Sequence, residues 1–389
     1  MERNGIQQTG SGKLGTDKLG TDKLGVVVVG CGYWGVNYLR VFSELARSRV
    51  VAICDPRVER LQEIGRRYPE AILTTNIEEA LQLNGVDAAV ICTGATTHYE
   101  VARKCLAARK HVLVEKPMAT KVEDAEALIA LADTYRVTLM VGHTFLYNAG
   151  IRAVKDLLRR EDMGQIYYLY ACRTNLGPIR QDVNALWDLA PHDVSIFNYL
   201  LDSSPAWVSA VGANVLKSAQ ADVGFVSLGY ENNVVGNIHV SWADPNKVRQ
   251  LVVVGGNKRI VFDDLNALER VKIFEKGVVG KPPEASTYGE YQFLMRDGDI
   301  LSPHIEGNEP LKTQCNHFLD CVMQSERPLT DGQAGLEIVK VLSAIDRSIA
   351  QNGSPVTIEQ SGRQASSIYN GNHNGNDNGH HDSQLKVKA

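Results

Sequence analysis

The sequence predicts an α/β protein: a doubly wound parallel sheet, followed by an α+β half on an open, mostly antiparallel sheet. Three observations predict it. Six short Val/Ile-rich runs alternate with helical patterns between residues 24 and 142. A glycine-rich turn follows the first run. After about residue 148 the texture changes to strands joined by short turns, closed by two helices.

The parallel half is expected over 24–148. Its runs are LGVVVVG (24–30), VVAICD (50–55), AILTT (71–75), DAAVIC (87–92), HVLVE (111–115) and TLMVG (138–142). They are almost wholly apolar, as strands covered on both faces must be. Helical stretches such as WGVNYLRVFSELA, HYEVARKCLAARK and EDAEALIALADTY separate them, and that rhythm means parallel strands with crossover helices. The second half is expected over 149–359. IRAVKDLLRR reads as a helix, QIYYLYACRTN as a strand and PHDVSIFNYLL as a helix. Six strands follow, from PAWVSAVGAN to ERVKIFEKG, with turns at 231–233 and 255–257 that suit antiparallel pairs. Helices near 310–325 and 334–351 close it.

Both ends read differently. Residues 1–23 carry a KLGTD repeat and are expected to be a flexible leader. Residues 360–389 are expected to be a solvated tail, because 370–382 contains only Asn, Gly, His and Asp and cannot bury enough apolar surface to fold. The tail histidines leave weak metal binding as the alternative there.

Composition excludes several classes. With 41 Lys+Arg against 45 Asp+Glu over 389 residues, the net charge of −4 gives no footprint for nucleic acid or an anionic membrane. No apolar run is long enough to span a bilayer, and the first residues lack a signal-peptide core. Seven cysteines, with no C-x-x-C pair, fall largely in apolar runs. They read as reduced, buried thiols in a cytoplasmic setting, with no structural metal site.

Gly30-Cys31-Gly32-Tyr33-Trp34-Gly35 fits G-x-G-x-x-G between a strand and a helix, the context in which that pattern binds a dinucleotide. Gly30 permits the tight turn, Gly32 a close approach of pyrophosphate, and Gly35 close packing of helix on strand; the helix N-terminus offers N–H groups to phosphate. Asp55 ends the next strand, where a carboxylate takes the ribose hydroxyls and repels a 2′-phosphate. NAD is therefore expected over NADP, with Arg57 able to soften the preference. Thr93, His98, Glu115, Lys116 and His143 lie at or after other strand ends, on the ligand-binding edge of such a sheet. His98 reads equally as an early residue of a helix capped by Thr97.

These features together resemble the Gfo/Idh/MocA family, and the block THYEVARKCLAARKHVLVEKPMA (97–119) carries the resemblance. It spans roughly residues 24–350. It implies an NAD(P)-dependent oxidoreductase acting on sugars, cyclitols or nucleotide-linked sugars, with Lys116 as the EKP lysine and Asp188 and His192 as the D-x-x-x-H pair. The segments RTNLGPIRQDVNALWDLAPHDVSI (173–196) and VGHTFLYN (141–148) further resemble a bacterial subgroup that oxidises the 3-hydroxyl of UDP-N-acetylglucosamine or its uronic acid for polysaccharide biosynthesis. Members pair the second sheet between subunits, which implies a homodimer or homotetramer.

Hydride transfer from a carbinol needs a base, a charge for the alkoxide and alignment. His192 suits the base. Asp188, four residues earlier, would share its helix face and orient the imidazole. Lys116 suits the charge, or the acid/base role itself. From spacing alone Asp188 reads as a helix cap and His192 as a satisfied structural residue; the resemblance gives them catalysis. Further substrate contacts are expected from His143, Tyr147, Arg173, Asn175, Arg180 and Asn184, with the two arginines suited to a diphosphate. Tyr147 and Trp187 read either as stacking faces or as packing. The alternatives to a nucleotide-sugar dehydrogenase are a ketosugar reductase, an inositol or free-sugar dehydrogenase, and a catalytically silent NAD-binding regulator.

Overall fold

Strands β1 (Leu24–Val29), β2 (Ser48–Cys54), β3 (Ile72–Thr74), β4 (Ala88–Ile91), β5 (His111–Glu115) and β6 (Leu139–Gly142) form a wholly parallel sheet in the order β3-β2-β1-β4-β5-β6. The computed structural model describes residues 23–177, 179–216, 220–280 and 293–359. The expected tail, and the expected leader apart from Lys23, lie outside the described residues. Helices α1 (Tyr33–Glu44), α2 (Val58–Gly65), α3 (Ile77–Gln82), α4 (His98–Ala107) and α5 (Val122–Tyr135) make the crossovers. The central apolar strands are sealed on both faces: Val26, Val27, Val28, Val90 and Leu113 are fully buried, whereas Ile72 and Leu73 of the edge strand β3 are exposed, contrary to expectation, because no strand among the described residues pairs beyond it. Each buried side chain contributes about 1.5–3 kcal/mol relative to exposure. The strand order reverses between β1 and β4, which opens a crevice at their carboxyl ends.

The second half begins with α6 (Ala149–Arg159), β7 (Ile166–Thr174) and α7 (Ala185–Leu201). It continues through β8 (Trp207–Ala213), β9 (Val223–Gly229), β10 (Val235–Ser241), β11 (Val248–Gly255), β12 (Arg259–Asp263) and β13 (Val271–Phe274). A small hairpin, β14 (Gly277–Gly280) and β15 (Phe293–Arg296), precedes β16 (Ile300–Leu301). Helices α8 (Pro310–Gln324) and α9 (Gly332–Ala350) and strand β17 (Val356–Thr357) complete it. The large sheet runs β16-β13-β12-β11-β7-β10-β9-β8-β17. Only its β7–β10 pair is parallel among the pairings of the described residues, because the chain leaves β7 through the α7 crossover before returning.

Alternation along these strands divides the two faces. Leu169, Ala171, Val226, Ile238 and Leu251 are buried beneath the helices, whereas Tyr168, Val211, Phe225 and Val235 are exposed on the other face. Helix α9 packs on α5 and β6 of the first sheet and on β8 and α7 of the second. All seven cysteines are free thiols, and only Cys172 is not buried. No helix among the described residues is long and apolar enough to cross a membrane.

Candidate active site

The glycine turn sits at the crevice. Gly30 has φ +90°, a conformation only glycine adopts without strain. A Cβ on Gly35 would lie 1.9 Å from the Gly30 carbonyl oxygen, while one on Gly32 would meet nothing within 4 Å. Gly32 is thus open to a ligand and Gly35 is a packing glycine. No side chain caps α1 and no acid lies in its first turn, so its N–H groups face the crevice unclaimed. Tyr33 (81% exposed) and Trp34 (39% exposed) stand edge to face over this entrance.

Asp55 lies where the spacing puts it, but its carboxylate is already saturated. Oδ2 accepts from the Cys31 N–H (2.7 Å) and from Arg57 Nη2 (2.8 Å); Oδ1 accepts from the Arg57 backbone N–H (3.0 Å) and Arg57 Nε (2.8 Å). Burial works to raise this carboxyl, and Arg57 with the two backbone donors outweighs it, holding it below the usual value. Arg57 remains largely exposed, so its guanidinium is the outer surface of the pair.

Lys116 follows β5, and its Nζ donates to both the backbone carbonyl (2.7 Å) and Oδ1 (3.0 Å) of Asp188 on α7. Arg180 Nη1 donates to the same Oδ1 (3.0 Å), and Trp242 Nε1 to Oδ2 (3.4 Å). Burial opposes ionisation of Asp188, but Lys116 and Arg180 prevail and hold its carboxyl low. Asp188 therefore does not orient His192, contrary to the helical-spacing expectation. Long-range cations claim the carboxylate, and His192 Nδ1 is buried with no partner. His192 packs edge to face on Phe145, 4.9 Å between centroids. Burial, then Lys116, Arg173, His143 and Arg249, drive its pKa well below the ordinary histidine value, so it is neutral at neutral pH. Asp188 is not the helix cap either: Asn184 caps α7, accepting from the Trp187 N–H (2.9 Å), which places Pro191 inside the helix. Pro191 has no N–H to return to the Trp187 carbonyl one turn earlier, and the next carbonyl, that of Asp188, takes Lys116.

Lys116, Asp188 and His192 line one cavity of about 640 Å³ with Tyr33, Trp34 and Asn175. A second, of about 360 Å³, shares Trp34, Glu115, Asn175, Leu189, His192 and Arg249 with it and extends to Phe145, Arg173, Asp264 and Arg270. A third, of about 520 Å³ between α5 and the α8–α9 turn, contains none of these residues.

Other expected residues are placed differently. His98 bridges the carbonyls of Pro117 (Nδ1, 2.7 Å) and Thr93 (Nε2, 3.1 Å), a structural clasp at the cavity edge. Thr93 Oγ1 meets Thr97 Oγ1 (2.8 Å). Glu115 accepts from Tyr38 Oη (2.7 Å) and the Lys116 N–H (3.2 Å), and burial raises its pKa. His143 is buried with both ring nitrogens unpartnered, outside both cavity linings. Tyr147 is fully buried near Thr330 and His317, and Trp187 Nε1 donates to Asp346 (2.7 Å): both are packing residues. Asn184 serves as the α7 cap rather than as a cavity residue. Arg173 forms a buried bidentate pair with Asp193 (2.9 and 2.7 Å), and Arg180 a half-buried one with Asp182 (2.9 and 2.6 Å). Each arginine is thus held by an acid, and each lines a cavity, Arg180 the first and Arg173 the second. Arg249, Arg270 and Trp242, which the sequence did not single out, line the cavities as well.

Residues 24–143 match the family model described as "Oxidoreductase family, NAD-binding Rossmann fold", and residues 151–261 match the "GFO/IDH/MocA C-terminal domain". The chain belongs to the Gfo/Idh/MocA family. It is 26% identical over 320 residues to UDP-N-acetylglucosamine 3-dehydrogenase of Acidithiobacillus ferrooxidans, covering 80% of this chain and 93% of that protein. It is 25% identical over 338 residues to myo-inositol 2-dehydrogenase of Thermotoga maritima, covering 84% and 96%. It shares its fold with the WlbA dehydrogenase of Bordetella pertussis, solved with NADH and UDP-GlcNAcA: TM-score 0.71, 22% identity, 87% of this chain and 100% of that one. The chain is thus an NAD-binding oxidoreductase of the Gfo/Idh/MocA family. The residues present fit NAD: an uncapped α1 N-terminus, an open Gly32 and two uncovered aromatic rings face one crevice.

Proposed function

We propose that this Gfo/Idh/MocA protein oxidises a secondary hydroxyl of a nucleotide-linked sugar, the 3-hydroxyl of a UDP-N-acetyl-hexosamine or its uronic acid. The observation that carries the reading is the Lys116–Asp188 contact, which joins the NAD-binding edge to α7 with His192 on the same cavity wall. NAD supplies the hydride acceptor when bound. The chain's own residues do the rest. Lys116, held by Asp188, donates to the substrate oxygen and stabilises its negative charge as the proton leaves. His192, kept neutral, accepts that proton. Asp188 positions Lys116, and Arg180 fixes Asp188. The second cavity, continuous with the first along Asn175 and His192, gives room beyond one sugar ring. Two of the curated relatives are named as dehydrogenases, one of a nucleotide sugar and one of a cyclitol.

The test is to denature the purified protein without added cofactor and identify released nucleotides by mass spectrometry. NAD(H) together with a UDP-amino sugar is expected. NADP(H), or a cyclitol in place of the nucleotide sugar, would contradict the reading.

A further inference from the structure

Three arginines and three carboxylates line the second cavity, and one of the arginines, Arg270, is left without an acid of its own among the described residues. Each carboxylate lining it is engaged. Asp264 accepts from Asn148 Nδ2 (2.9 Å) and Arg249 Nη1 (3.4 Å), Glu309 pairs with Arg40, and Glu115 accepts from Tyr38. Arg173 is matched by Asp193 and stacks over Phe145, 4.3 Å from the centroid. The Arg270 guanidinium has no hydrogen-bond or ion-pair partner among the described residues, and its Nε is sealed from solvent. Arg249 shares the cavity and has one long contact to its acid. A guanidinium with its Nε shut away from water and no acceptor gains from an anion at its open nitrogens.

We propose that Arg270 and Arg249 form a subsite for an anionic group of the substrate, a carboxylate or a phosphoryl group. Arg249 and His192 line both cavities, so the anion lies beside the carbinol undergoing oxidation. Asn175, at the shared wall with no side-chain hydrogen bond among the described residues, is the neutral donor nearby. This rests on the sugar-dehydrogenase reading and deepens it: the substrate's anionic group is held at Arg270 and Arg249, and neutral polyols are poor ligands.

The test separates binding from turnover. The NAD-saturated protein is titrated by calorimetry with UDP, glucuronate, UDP-N-acetylglucosamine, its uronic acid, N-acetylglucosamine and myo-inositol. At least one anionic probe is expected to bind tenfold or more tightly than the neutral ones. UDP responding without glucuronate identifies the phosphoryl group, and the reverse identifies the carboxylate. Arg270→Gln is expected to erase the tenfold difference while the NAD dissociation constant is unchanged, and Arg270→Lys to retain part of it. Arg249→Gln provides the second variant, expected to weaken the same probe. Myo-inositol binding as tightly as every anion, or an anion preference untouched in both Gln variants, would overturn the subsite. Anion binding with no turnover of any sugar would leave the subsite standing and sink the dehydrogenase reading.

Discussion

At the residue scale the site rests on three side chains whose charges set one another. Lys116→Met and His192→Asn are each expected to lower kcat by about 10²–10⁴-fold with NAD binding unchanged, measured by stopped-flow turnover and fluorescence titration. Full turnover in both variants would contradict the assignment. Because burial, then Lys116, Arg173, His143 and Arg249, hold His192 low, the acid limb of kcat/KM is expected below the ordinary histidine value of about 6.5. His143 adds a stability signature. Burial, then Lys116, push its imidazole down to about 3. Between there and about 6.5 the unfolded chain binds a proton that the folded chain refuses, so stability is lost as the pH falls through that window. His143→Phe is expected to flatten that slope in urea titrations across pH. Asp55 shows where residue-level reading ran short. Its position was legible from strand length and spacing, yet its neighbour two residues on occupies the carboxylate. Arg57→Ala is expected to free Asp55 and lower NADP affinity relative to NAD by about tenfold, the loss of one charge-assisted contact. An unchanged NADP/NAD affinity ratio would remove Arg57 from cofactor choice.

At the element scale the six parallel strands were legible because each is a short apolar run ended by Gly, Asp, Thr, Lys or His. Helix α7 was legible as a helix but not in its phase. The sequence reading placed Asp188 near the helix start, whereas Asn184 caps it and Pro191 falls inside. What the i,i+4 spacing could not show is that Lys116 and Arg180 reach Asp188 from other elements. Arg249 and Arg270 were invisible for a related reason. Arg249 meets the site only because β11 pairs with β7 in a register set by distant turns, opposite Arg173. The Arg173–Asp193 pair pins β7 to α7 with both side chains buried. Asp193→Ala leaves an uncompensated cation and is expected to destabilise by about 3–5 kcal/mol in denaturant titration. A loss near zero would mean that water enters and solvates Arg173.

At the scale of the whole molecule, two sheets share one cleft, and α9 ties them together by packing on both. The helix-free face of the large sheet exposes Tyr168, Val211, Phe225 and Val235, which is the arrangement expected of a homodimer or homotetramer joined through it. Light scattering is expected to give a dimer or larger mass, and Phe225→Glu with Val235→Glu to give a folded monomer. The central claim is that the cleft oxidises a nucleotide-linked sugar at the expense of NAD. Its most direct test is to incubate the protein with NAD and either UDP-N-acetylglucosamine or its uronic acid, following reduced nicotinamide and the mass of the sugar together. The account predicts reduced nicotinamide and a product lighter by two hydrogens, absent with Lys116→Met. No oxidation of either nucleotide sugar, with ready oxidation of myo-inositol, would contradict it.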